Sequence, residues 1–493
     1  MSLKKLGGET VIYGLSNILG RLLNFVLVTP FLTRVLAAEE YGVVGELFFW
    51  TGLLIALLVF RMDTVVFRYA SRAENDAHIV FQRAQWFVVV AVVTVIGGLL
   101  LFSAPLSAVM DYPDRTIYIQ LVLATIAFDA LSAVPLARLR LEQRPWFFVA
   151  VNLGNVLVNL LLIFLLLYVL PGRGTLFGLD FAEGYLVGYY LATIALAAGF
   201  RYLVLLTDGL IRYGKVKTEG EKARRAVPTV GVMLRYGLPL TLVAVAGIIN
   251  ALFGPALIKW YFGESTTGNL FWSGQFNAAM KLAVFLNLFI TAYNYAAEPF
   301  FFRQAGKDLA TADRTIYADA ARAYALIGTL AAAAIMLLLP WLKDFLQEEE
   351  QQGLFVLPYL LGANLLFGMY SNFSIAYKLT DRTYLGGGIA LIGSVIAVGG
   401  SILLIGDFGL YAVAWSMMAC YAVMCALAWG VSRKYFRVNY PLGRIAVYAV
   451  LAATAVYLGG AAGAEWWIRG LVLLALLGAL TGMEWRWLRK TFG

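Results

Sequence analysis

The chain has 493 residues, 61% hydrophobic and only 14% charged, with a net charge of +9, one histidine and two cysteines. That balance excludes an ordinary soluble enzyme, whose helices would carry charged amphipathic faces. Cys420 and Cys425 lie in one apolar run and form neither a disulfide framework nor a metal pair. The positive charge follows membrane topology, so no nucleic-acid partner is expected.

Fourteen apolar runs predict membrane-spanning helices near 10–32, 41–60, 84–103, 116–137, 147–170, 184–206, 236–258, 272–297, 322–342, 354–376, 384–405, 410–431, 444–462 and 466–485. Lys4 and Lys5 precede the first run, but its length and the mid-run Arg21 argue for an uncleaved helix rather than a signal peptide. Within it Thr10, Gly14, Asn17, Arg21 and Asn24 recur at helical spacing and share a face. Glu46, about five residues inside the start of the second run, is expected to reach the outer interface, and His78 to sit solvated in a polar loop.

The fourth run places Thr125, Asp129 and Ser132 on one face, with Asp129 deep enough to pair with Arg21. The fifth groups Asn152, Asn155 and Asn159, which either glue helices by hydrogen bonds or line a cavity. Residues 207–235 are polar and basic and read as a cytoplasmic linker. It divides the chain into a six-helix bundle over 1–206, a second over 236–431, and two added helices with a tail over 432–493. Six is even, so the two bundles form a parallel repeat with a pseudo-twofold along the membrane normal and a substrate site between the halves. Pro135, Pro239 and Pro255 fall inside runs and mark kinks.

The eighth run, Ser273 to Phe302, is the most informative stretch. Ser273, Asn277, Lys281, Asn287, Thr291, Asn294 and Glu298 fall within an arc of roughly 140° on a helix turning about 100° per residue. A charge at mid-bilayer costs on the order of 3 kcal/mol, so this face meets a wet or protein-lined interior. Either Lys281 pairs with a neighbouring helix, or the stripe lines a cavity that handles an anion. The tenth run groups Asn364, Ser371, Ser374 and Lys378, with Lys378 at the cytoplasmic mouth. Trp260, Trp272, Trp466 and Trp485 lie near run ends, as interfacial anchors do.

Thirty of the 38 Lys and Arg fall in the segments that are cytoplasmic if the N-terminus is, six in the opposite segments, and only Arg21 and Lys281 well inside runs. Both termini are therefore expected inside. Three enzyme signals are missing. No histidine lies in a run, no carboxylate pair sits beside a catalytic loop, and no phosphate-binding glycine loop occurs. No catalytic residue, metal site or bound cofactor is expected.

Several stretches resemble one family: MLRYGLPL (233–240), RMDTVVFRYA (61–70), LARLRLEQRPWFF (136–148), AAEPFFF (296–302) and AYKLTDRTYLG (376–386). They resemble boundary motifs of the polysaccharide flippases in the multidrug/oligosaccharidyl-lipid/polysaccharide exporter superfamily, in order along the whole chain. The resemblance implies an all-α integral membrane fold of twelve core helices in two six-helix bundles, often with two more at the C-terminus. It implies a flippase that carries a polyprenyl-pyrophosphate-linked oligosaccharide across the bacterial cytoplasmic (inner) membrane by alternating access, for surface polysaccharide, with a cationic cavity and coupling to a proton or sodium gradient. Membrane lipids and polysaccharide assembly proteins are the partners it implies. One departure stands out: the family's seventh helix usually ends in an Asp-Arg pair, where this chain reads LFGPALI over 252–258.

On this reading Arg21 and Lys281 attract the pyrophosphate, one from each half. Asn17, Asn24, Asn277, Asn287 and Asn294 bond sugar or phosphate, and Asp129 and Glu298 are the coupling sites. A drug/cation antiporter of the same fold would favour an acidic cavity, whereas here the deep charges are mixed. A membrane polymerase or ligase would carry a large outer loop rich in Arg or His. A structural subunit would use the buried charges only as helix glue.

Overall fold

The computed structural model describes residues 28, 32, 35–70, 75–170, 175–176, 179–180, 186–213, 228–263, 265–305, 313–346, 348–380, 382–460 and 465–492. The described elements are helical apart from a small hairpin in which Thr175–Leu176 (β1) pairs antiparallel with Leu179–Asp180 (β2). A chain this apolar must satisfy its backbone internally, and a helix does so segment by segment. Twelve described segments are long and apolar enough to cross a membrane, and they match twelve of the fourteen expected runs. The run at 10–32 lies outside the described residues. The run at 272–297 lies within a 40-residue helix, Thr266–Ala305. The protein is thus an all-α, multi-pass membrane protein.

Contacts divide the chain into two compact units, residues 1–274 and 275–493. The division falls inside the helix Thr266–Ala305 rather than in the basic linker.

The first unit holds α1 (Ala38–Val59), α2 (Met62–Ala70), α3 (Ala77–Leu101), α4 (Ser103–Val109), α5 (Thr116–Leu141), α6 (Pro145–Ile163), α7 (Leu186–Tyr213), α8 (Val230–Tyr261) and the start of α9 (Thr266–Ala305). Phe60 and Arg61, at φ 51° and 54°, are left-handed and break α1 from α2. Asp76 caps α3 by accepting from the His78 and Ile79 amides at 2.9 and 3.3 Å. Proline at the first turn of α6 costs no hydrogen bond there, whereas Pro135 lies inside α5, and Pro239 and Pro255 inside α8. α5 packs on α3 and α7, and α8 lies along α1. α1 and α9 cross at Gly42 and Gly274, where a Cβ on Gly274 would stand 1.9 Å from the Ala38 carbonyl oxygen. Only glycine permits that approach.

The second unit holds the rest of α9, then α10 (Thr315–Leu337), α11 (Leu339–Leu342), α12 (Leu357–Leu379), α13 (Thr383–Phe408), α14 (Leu410–Tyr435), α15 (Leu442–Gly460) and α16 (Trp466–Phe492). α14 packs on both α12 and α13, while α15 and α16 pack on α10 and on each other. Cys420 and Cys425 are free and buried in α14. Of the proposed anchors, Trp260, Trp466 and Trp485 are exposed and Trp272 is half-buried.

Candidate functional site

In the second unit the polar stripe of α9 meets a polar stripe on α12. The Asn287 side-chain amide donates to Asn364 Oδ1 at 3.4 Å, and that of Asn294 to Ser371 Oγ at 3.4 Å. Between them the Tyr293 hydroxyl donates to Asn372 Oδ1 at 2.5 Å. Asn364 and Asn372 in turn donate to the Leu360 and Gly368 carbonyls, at 3.0 and 2.9 Å, which fixes their rotamers. α10 also approaches α12 closely at Gly368, where a Cβ would fall 1.9 Å from the Tyr324 hydroxyl oxygen. Tyr324 donates to the Leu365 carbonyl at 3.2 Å and stacks on Phe289 at 5.7 Å. Farther along, the seam opens into a cavity of about 90 Å³ lined by Tyr293, Asn294, Phe301, Ser371, Asn372 and Lys378. Lys378 thus lines the cavity into which the α12 stripe leads. The same side chains join two helices and line a polar space.

Lys281 lies on α9, half-buried, and forms no ion pair with a carboxylate among the described residues. Asn277, one turn before it, is buried. Ser273 is fully buried in the first unit and donates to the Pro255 carbonyl at 2.9 Å, so this end of the stripe joins α9 to α8. Arg21, Asn17 and Asn24 lie outside the described residues, and the Glu298 side chain is likewise outside them.

Arg201 and Arg322 correct the reading that only Arg21 and Lys281 lie well inside helices, and Lys259, at a helix end, is buried as well. Arg201 of α7 pairs with Asp129 of α5 at 2.5 Å. Sequence reasoning placed Arg201 in a cytoplasmic segment and offered Arg21 as the Asp129 partner. Lys259, in the last turn of α8, pairs with Glu46 of α1 at 2.8 Å, with neither side chain exposed. Lys259 also donates to the Met110 carbonyl and sits 3.9 Å from the Tyr112 ring centroid, while the Tyr112 hydroxyl donates to the same Glu46 oxygen at 2.5 Å. Glu46 therefore does not reach an interface; a cation and a phenol within bonding distance hold it inside. Arg322 of α10 pairs with Glu484 of α16, which also accepts from Tyr448 of α15 at 2.6 Å. His78 is not loop-borne either: it lies in the first turn of α3, bonded to Gln82 at 3.0 Å. One signal in the sequence pointed to the Glu46 pair: opposite charges stand near corresponding ends of two runs, at similar depth. Among these four helix cations, Lys281 is the one that no carboxylate of the described residues offsets.

Comparison with known proteins fits this architecture. The solved structure described as lipid II flippase MurJ in an inward closed conformation superposes with a TM-score of 0.68 at 11% identity, over 97% of this chain and 99% of that one. An outward-facing multidrug resistance MATE family transporter of the MOP superfamily gives 0.62 at 16% identity, over 90% and 96%. An inward-facing MATE transporter gives 0.61 at 17%, over 86% and 95%. These likenesses establish the fold, that of the superfamily to which the sequence motifs pointed. No curated protein sequence matches the chain. The profile of the family described as polysaccharide biosynthesis protein matches residues 6–304, and the chain belongs to that family.

Proposed function

We propose that the protein is a flippase that moves a polyprenyl-pyrophosphate-linked oligosaccharide across the bacterial cytoplasmic membrane, from the inner to the outer leaflet, for surface polysaccharide assembly. The observation that carries this reading is Lys281: a half-buried cation on the polar stripe of α9, with no carboxylate offsetting it among the described residues. A diphosphate supplies the missing negative charge, and the amides beside it suit sugar hydroxyls. Family membership and a fold shared with a lipid II flippase support the same substrate class. A multidrug antiporter would gain more from an uncompensated carboxylate than from an uncompensated lysine.

On this proposal Arg21 joins Lys281 at the headgroup, with Asn17, Asn24, Asn277, Asn287 and Asn294 as hydrogen-bonding partners. Asp129 or Glu298 carries coupling to a proton or cation gradient. The protein performs no covalent chemistry and needs no cofactor. Depleting it in cells tests the reading. Lipid-linked oligosaccharide should accumulate on the cytoplasmic face while surface polysaccharide disappears; continued export with raised drug sensitivity would favour the antiporter.

A further inference from the structure

The first unit carries a groove remote in sequence from the α9–α12 seam. α3 and α7 flank α5, and beside the C-terminal part of α5 they bound a cavity of about 360 Å³. That volume is typical of a ligand pocket, about 300–1,000 Å³. Val134, Leu139 and Leu205 line it from the buried interior, whereas Trp86 and Leu210 line it with 67% and 62% of their surface exposed. All three helices are long and apolar enough to span a membrane, so these exposed apolar side chains suit hydrocarbon.

One end of the groove is polar, and its charge is mixed. Arg138 donates from Nε to Glu142 at 2.6 Å, and its guanidinium lies 3.4 Å from His78 Nδ1. Asp208 lines the same groove, held by Arg144 at 2.7 and 2.9 Å and by Arg212 at 2.9 Å. Both carboxylates are ion-paired, Glu142 with Arg138 and Asp208 with Arg144 and Arg212, so groups of both signs stand side by side here. A headgroup carrying a phosphate next to an ammonium complements both signs at once.

We propose that this groove binds a zwitterionic phospholipid with a primary ammonium. One acyl chain lies along Trp86 and Leu210, the phosphate faces Arg138, and the ammonium donates hydrogen bonds to Glu142 and Asp208. The proposal is independent of what the protein transports.

The test uses the full-length purified protein in detergent, titrated separately with phosphatidylethanolamine, phosphatidylcholine and phosphatidylglycerol. Phosphatidylethanolamine should raise the unfolding temperature at the lowest lipid concentration. A photoactivatable acyl-chain analogue should crosslink to peptides containing Trp86 and Leu210. Arg138→Gln should weaken the ethanolamine lipid roughly tenfold, as expected for a lost charge-assisted bond. Leu206→Trp, which fills the groove without changing charge, should remove the crosslink while the lipid-free unfolding temperature stays close to that of the parent. Equal stabilisation by all three lipids, a preference for phosphatidylglycerol, or undiminished crosslinking in Leu206→Trp would overturn the assignment.

Discussion

Replacing Glu46 with glutamine isolates one buried charge in a defined setting. In the native protein Lys259 and Glu46 lie 2.8 Å apart with neither side chain exposed, and Tyr112 completes the cluster from the turn after α4. Glu46→Gln keeps the shape but leaves the Lys259 ammonium with one carbonyl, an aromatic face and a neutral amide. Removing one partner of a buried pair costs about 3–5 kcal/mol, because the other charge stays desolvated. Replacing both, as Glu46→Gln with Lys259→Met, removes the stranded charge and should recover all but about 1–2 kcal/mol. Tyr112→Phe should cost about 1.5–3 kcal/mol, the range for a hydrogen bond to a charged group. Unfolding of the purified protein in detergent, followed for the parent, the two single variants and the double variant, reads these differences. A Glu46→Gln cost below about 1 kcal/mol, or a double variant no better than the worse single, would refute the buried-pair account.

Glu484 accepts from Arg322, Tyr448 and, at 3.5 Å, Arg444. Glu484→Gln should therefore destabilise the packing of α15 and α16 on α10 by about 3–5 kcal/mol, whereas Arg444→Gln, at a largely exposed cation, should cost under about 1 kcal/mol; unfolding and limited proteolysis distinguish the two. Asp129→Asn strands Arg201, so it should lower stability, and Asp129→Asn with Arg201→Gln should restore it. If Asp129 also serves coupling, that double variant regains its fold but not gradient-dependent transport, measured in vesicles with an imposed gradient. For orientation, an impermeant thiol reagent outside sealed cells should label Gly172→Cys and Glu349→Cys but not Lys222→Cys or Arg314→Cys; external labelling at position 222 would reverse the topology.

Much of this architecture was legible because the bilayer is a severe solvent. An apolar run of about 20 residues has few folded options, and the expected runs outside 10–32 all coincide with described helices. The α9 stripe was legible for the same reason, since Asn287 and Asn294 at helical spacing need polar neighbours, and α12 supplies them in Asn364 and Ser371. Pairings between distant segments were not legible. Periodicity places Glu46 on a helix face but cannot say that Lys259, 213 residues away, reaches it. Long side chains near run ends usually extend to the interface, and here that tendency loses to a cluster of opposite charges. Arg201 falls inside the expected run 184–206 but was counted with the basic residues that follow it, and nothing in periodicity shows that Asp129, 72 residues away, is its partner. The contact division at Gly274 was equally hidden, because nothing in the α9 sequence interrupts the helix there.

The most direct test of the central claim is flipping of a fluorescent polyprenyl-pyrophosphate oligosaccharide in proteoliposomes holding the purified protein. Bleaching the exposed leaflet should show protein-dependent exchange, lost in Lys281→Gln and largely retained in Lys281→Arg, with both variants folded to the parent's unfolding temperature. A polyprenyl alcohol without the pyrophosphate should show no dependence on Lys281. Equal flipping by the parent and a folded Lys281→Gln variant would contradict the account.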